Sequence, residues 1–226
     1  MLRIGIIANP SCGNAWLEDA LRSLQASEFV ELALIVVTAA SSALAQPPLV
    51  DERLRTHWSQ SLFLRYQQWD YKKNRAEDDA LSARDLTSLL SAVPRVVLSP
   101  AQQSSAVEFS PEDLAIIKAA DLDVLVNFEP RTVQRAVLSF LRYGLWSFYY
   151  GDNGRYQGGP PCFWEIYENN PVSGSGLQIM TERSDEPRVI YQSHSSTRQT
   201  SLYLNRNPIY WKTAEFLIRR LSDLHL

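Results

Sequence analysis

The chain has 226 residues, 45% of them apolar, with a net charge of −3 and two cysteines. That length fills one core, and the charge lacks the basic surplus of a nucleic-acid-binding surface. Cys12 and Cys162 match neither a disulfide framework nor a metal-ligand spacing, so they read as reduced thiols. The apolar run at residues 4–8 is too short for a signal-peptide core. The longest apolar stretch, Leu32 to Ala45, is shorter than a membrane span and carries Thr38, Ser41 and Ser42. A single cytoplasmic domain over 1–226 is expected, with no membrane partner.

In chain order, residues 3–8 are a short β-branched run that ends in Asn-Pro-Ser, the pattern of a fully buried strand. Leu17, Leu21 and Leu24 fall at helical spacing between Ala15 and Gln25, and residues 30–38 form a second buried run. Strand, helix, strand within 40 residues predicts a βαβ unit and a parallel sheet. Residues 9–14 hold one glycine and no GxGxxG, which argues against a dinucleotide site.

Residues 51–90 are rich in charge and aromatics (Trp58, Phe63, Tyr66, Trp69, Tyr71) and predict a helix, then a polar connection from Lys72 to Asp79. The rings read as a packing face, with a substrate rim as the sharper alternative. Residues 94–99 and 122–128 predict two more strands. Between them Ser110-Pro111-Glu112-Asp113 opens a helix, with a capping serine, a first-turn proline and acids at the positive end of the dipole. Thr132 to Tyr143 reads as a helix that ends at Gly144, followed by a strand at 145–150. Strands are predicted at Gly174–Met180 and Arg188–Ser193, and a final helix at Asn207–Leu224 with Trp211, Phe216 and Leu221 inward. The fold class is therefore α/β, a mostly parallel twisted sheet with helices on both faces.

The chemistry concentrates in 144–190. There a strand ends in a loop rich in Gly, Asp and Asn and feeds a short helix carrying Trp164. In parallel α/β sheets ligands sit outside the carboxyl ends of the strands. From Gly144 to Asp185 the chain can be laid without a gap on a known pattern. Gly144 takes the leading glycine, Arg155-Tyr156-Gln157-Gly158 an Arg-Tyr-Arg-Gly element, and Trp164 a tryptophan. Ser173-Gly174 takes a Thr-Gly, and Ser184-Asp185 a Leu-Asp. In this the chain resembles the folate-dependent formyltransferases, in the manner of a divergent member that lacks the usual Asn and His.

The resemblance implies a formyltransferase-type Rossmann-like fold and transfer of a formyl unit from 10-formyltetrahydrofolate to an amine of a small or carrier-bound molecule. The family's catalytic asparagine falls on Ser147 and its histidine on Tyr149; its aspartate is kept as Asp185. The family's glycine loop beside the pterin reads Phe128-Glu129-Pro130 here, which makes Asn127, Phe128 and Glu129 the cofactor-binding candidates. Ser147 and Tyr149 can still donate hydrogen bonds to an oxyanion, while a phenol of pKa near 10 is a poor base at neutral pH. Tyr150, Asp152, Asn153 and Arg155 follow in the loop as substrate-binding candidates, against a reading of Asp and Asn as turn formers. Alternation along 188–194 puts Ile190, Gln192 and His194 on one face, so His194 is a further candidate, against a surface histidine. No cluster has metal-ligand spacing, and no metal is expected. The two replacements leave open two rivals: changed chemistry on the same fold, such as cyclisation or hydrolysis, or a catalytically silent binding protein.

Overall fold

The computed structural model describes residues 1–38, 58–98, 106–129, 131–151, 156, 160–184 and 186–226. In chain order the strands are β1 (Leu2–Ala8), β2 (Gly13–Asn14), β3 (Val30–Val37), β4 (Ala83–Arg84), β5 (Arg95–Val97) and β6 (Ala106–Val107). They continue as β7 (Val124–Asn127), β8 (Thr132–Val133), β9 (Leu145–Tyr150), β10 (Val172–Met180) and β11 (Arg188–Ser196). The helices are α1 (Ala15–Gln25), α2 (Trp58–Asn74), α3 (Pro111–Ala119), α4 (Phe163–Tyr167) and α5 (Leu202–His225).

Seven strands form one sheet in the order β11-β10-β9-β7-β1-β3-β5. The five from β9 to β5 are parallel, and β10 and β11 extend the sheet antiparallel. The expected βαβ unit is β1-α1-β3, with Asn14 capping α1 by accepting from the Leu17 amide. Ser110 and Asp113 form a reciprocal capping box on α3. Two apolar clusters sandwich the sheet. On one face α1 and α5 bury Trp16, Leu21, Leu217 and Leu221 against the strands. On the other, Ile117 of α3 packs with Val137, Leu138 and Leu145. Among the described residues no helix is long and apolar enough to cross a membrane.

Three expectations need correction. Thr132 to Tyr143 is not an α-helix: Thr132–Val133 pair with β6, and Arg135–Phe140 is 3₁₀. The β-branched pair favours the ladder. Gln134 ties the segment to the end of β6 as its side chain accepts from the Phe109 amide. The final helix starts at Leu202, capped by Ser201, so Pro208 lies inside it rather than at its first turn. α2 runs on to Asn74, so Lys72–Asn74 belong to the helix and not to the connection. Its aromatics are divided. Phe63 meets Phe163 and Tyr71 meets Tyr203 edge-on, whereas Tyr66 and Trp69 are exposed. The part of that expectation at 51–57 lies outside the described residues.

Trp16 ties α1 to three partners, with ring centroids 5.9 Å from Phe128, 5.5 Å from Phe148 and 5.8 Å from Tyr210. Trp16→Ala is expected to lower unfolding stability by about 3–5 kcal/mol. The signature is a lower denaturant midpoint at unchanged slope.

Candidate functional site

β9 reads Leu-Trp-Ser-Phe-Tyr-Tyr, and strand alternation divides it in two. Trp146, Phe148 and Tyr150 pack into the α1/α5 side: Phe148 lies 5.3 Å from Phe128, and Tyr150 lies 4.4 Å from Tyr210. Leu145 belongs to the opposite cluster. Ser147 and Tyr149 therefore emerge together on the face away from α5.

Across β10 that face carries Gly174, Gly176 and Gln178, paired with His194, Gln192 and Val189 of β11. Gln178 pairs with Ser147, and its Nε2 donates to Ser147 Oγ at 3.1 Å. Tyr149 pairs with Gly176 and lays its ring over it: a Cβ at Gly176 would stand 2.4 Å from the tyrosine hydroxyl oxygen. The glycine is thus required by close approach of the ring. Gln192 and His194 continue the strip as exposed side chains. Ile190 does not share their face. The ladder shifts register at Leu177/Gln178, and Ile190, as the extra residue, turns to the α5 cluster.

The strip combines half-buried Ser147 and Tyr149, the tyrosine hydroxyl itself covered, with the Gln178 carboxamide and exposed polar side chains. The turn after β10 is set by Ser184, whose Oγ accepts from the Thr181 amide at 2.9 Å and whose carbonyl accepts from Arg135 at 2.9 Å. Asp185 lies outside the described residues, as do Asp152, Asn153 and Arg155. Tyr150 is separated from Ser147 and Tyr149 by the sheet. Its hydroxyl is buried, and burial beside Tyr210 and Cys162 pushes its pKa well above the usual phenol value.

The cofactor candidates sit at the carboxyl ends of the parallel strands. Asn127 staples its own turn: its Nδ2 donates to the Arg131 carbonyl at 2.9 Å, and its Oδ1 accepts from the Glu129 amide at 3.0 Å. Phe128 packs between Trp16 and Phe148. Glu129 is buried, accepts from Thr38 Oγ1 at 2.9 Å and lies 3.4 Å from Arg131. The Thr38 carbonyl in turn accepts from Asn9 Nδ2 at 3.0 Å. These three side chains are thus tied internally, and a ligand at this edge would meet the backbone and the Glu129–Arg131 pair. Sequence reading missed Gln178, Gly176, Thr38 and Arg131, because each acquires its role from a partner distant in the chain. The one usable signal was the alternation of polar and aromatic residues in β9. Among the described residues no group of three or more His, Cys, Asp or Glu side chains is placed to hold a metal ion.

No protein-family model and no curated protein matches the sequence. Solved structures do match the fold. Glycinamide ribonucleotide transformylase 1 from Geobacillus kaustophilus superposes with a TM-score of 0.61 at 13% identity, over 98% of either chain. Phosphoribosylglycinamide formyltransferase from Brucella melitensis gives 0.63 at 12% identity, over 99% of this chain and 95% of that one. Formyltetrahydrofolate deformylase from Burkholderia mallei gives 0.57 at 9% identity, over 97% of this chain and 64% of that one. The chain has the fold of these proteins.

Burial raises the Glu129 pKa above the ordinary carboxylate value, against the opposing pull of Thr38 and Arg131. The folded protein therefore binds more protons than the unfolded chain just above the unfolded pKa. Stability from this group is full below about pH 4 and is lost as pH rises through the folded value. Stability of the wild type relative to Glu129→Gln is expected to fall over that range, measured by denaturant unfolding at a series of pH values.

Proposed function

We propose that this protein transfers a formyl group from 10-formyltetrahydrofolate to the amine of a small or carrier-bound molecule. The observation that carries the reading is the polar strip on β9 and β10, where Ser147, bonded to Gln178, and Tyr149, laid on Gly176, share one face of a formyltransferase-type fold.

The folate supplies the formyl carbon. Ser147, Tyr149 and Gln178 form the wall it meets, with Gln192 and His194 beyond them. The Tyr149 hydroxyl, covered in the ligand-free protein, swings out to donate to the formyl oxygen as the attacking amine drives charge onto it. Gln178 donates to Ser147 Oγ, which leaves the serine proton free to point at the same oxygen. Asp185 takes the proton that the amine sheds and passes it to the folate N10 as the bond from N10 to the formyl carbon breaks and tetrahydrofolate leaves. Tyr149 keeps its proton throughout, since a phenol is a donor and a poor base at neutral pH. Hydrolysis of the same donor is the second reading, favoured by the deformylase among the structures that share the fold.

Release of tetrahydrofolate from 10-formyltetrahydrofolate is the assay. Release that depends on an added amine supports transfer, and release with formate in the absence of amine supports hydrolysis. In either case Asp185→Asn is expected to abolish turnover with folding and ligand affinity unchanged. Tyr149→Phe, which removes one donor, is expected to lower kcat about 10²-fold. An Asp185→Asn variant as active as the wild type would overturn the assignment.

A further inference from the structure

On the other side of the sheet, α2 and the first turns of α5 enclose a cavity of about 600 Å³ bounded by the 81–84 segment. This is the size of a small-molecule pocket. Its wall is part apolar, with Leu64, Leu81, Leu202 and Tyr71, and part charged. Three polar side chains in this wall are almost wholly buried, Gln67 at 8% exposure, Arg206 at 3% and Asp70 at 1%. Gln67 Oε1, Gln67 Nε2 and Arg206 Nη2 are all buried without a hydrogen-bond partner.

The guanidinium is held in place but not neutralised. Its Nε donates to the Pro161 carbonyl at 2.7 Å, which fixes the plane of the group. Asp70 is the carboxylate that bears on it, yet Asp70 Oδ1 accepts from Asn74 at 2.8 Å and Oδ2 from the Tyr203 amide at 2.8 Å. Arg206 has no ion pair among the described residues. Its other polar neighbours, Tyr66, Tyr210 and Cys162, are neutral at pH 7; burial pushes the Cys162 thiol up to about 12. A buried guanidinium that forms no ion pair within 4 Å, in the same wall as an unsatisfied carboxamide, is costly to fold unless something completes it. Such a cost is expected where binding, rather than stability, determines the residue.

We propose that this cavity binds a small organic monoanion: Gln67 and Arg206, whose unpartnered Nε2 and Nη2 are covered in the ligand-free wall, turn to donate to its carboxylate, and its apolar body lies along Leu64, Leu81 and Leu202. The volume exceeds a bare oxyanion, and the apolar wall calls for a carbon skeleton. The negative charge of Asp70 beside Arg206 favours one added charge over two. Arg75 and Arg84 stand at the edge of the same cavity, paired with Asp79 and Glu18. The site is separate from the one-carbon chemistry and is assayed without folate.

Benzoate and inorganic phosphate serve as probes in calorimetric titration and thermal unfolding of the wild type. Benzoate is expected to bind saturably and to raise Tm, and phosphate to bind more weakly. Gln67→Leu is expected to weaken benzoate about tenfold or more and, because it removes two unsatisfied buried atoms, to raise Tm of the ligand-free protein. Arg206→Met is expected to abolish binding. No saturable benzoate binding, tighter binding of phosphate, or a Gln67→Leu variant that loses stability and keeps benzoate affinity would each overturn the proposal. Gln67→Leu alone decides the matter if Arg206→Met does not fold.

Discussion

The packing of alternate residues of β9 against α1 and α5 is the constraint on which the rest depends. Trp146, Phe148 and Tyr150 each place a ring on that side, where Trp16, Phe128 and Tyr210 receive them. Because side chains in a strand alternate, a slip by one residue would put three aromatic rings in the wrong layer. The register is therefore fixed by burial. Ser147 and Tyr149 emerge on the far face as a consequence, and antiparallel β10 meets them with Gln178 and a glycine. The core sets the position of the polar pair, and the pair contributes little to the core.

The two faces of the sheet differ in chemistry. Away from α5 lies a strip of hydroxyls and carboxamides that extends to exposed Gln192 and His194. Toward α5 lie a buried guanidinium and a buried carboxamide at the wall of a cavity. Between them, at the carboxyl ends of the parallel strands, Asn9, Thr38, Glu129 and Arg131 form a chain of hydrogen bonds and one ion pair. At 9–15% identity, likeness to formyltransferases and a deformylase is likeness of scaffold. One scaffold hosts many reactions, so the chemistry rests on the side chains it positions.

Much of this scaffold was legible in the sequence, because its signals are local. Buried β-branched runs gave β1, β3 and β7, leucines at helical spacing gave α1, and Ser110-Pro111-Glu112-Asp113 gave the start of α3. The errors arose where a distant partner decided. Thr132 and Val133 pair with β6 and Gln134 accepts from the Phe109 amide, so the segment read as a helix at 132–143 begins as a strand. The last helix was expected from Asn207, yet Ser201 caps it about one and a half turns earlier and Pro208 lies inside it. Ile190 lost its expected face to a register shift that only the pairing with β10 reveals. The polar pair in β9 was visible as Ser147 and Tyr149, but Gln178 and Gly176 gain meaning only across the ladder. Arg206 lay just outside the expected helix and carried no signal of its own; its burial is seen only with the Pro161 carbonyl it donates to.

The central claim is that the Ser147–Tyr149 face receives a reduced folate carrying one carbon. Calorimetric titration of a stable 10-formyltetrahydrofolate analogue into the wild type and into Gly176→Val tests it most directly, since a side chain at 176 must push the Tyr149 ring from its place. The account predicts saturable binding to the wild type and clear weakening in the variant. Absence of binding to folded wild-type protein, or equal binding to both, would contradict it.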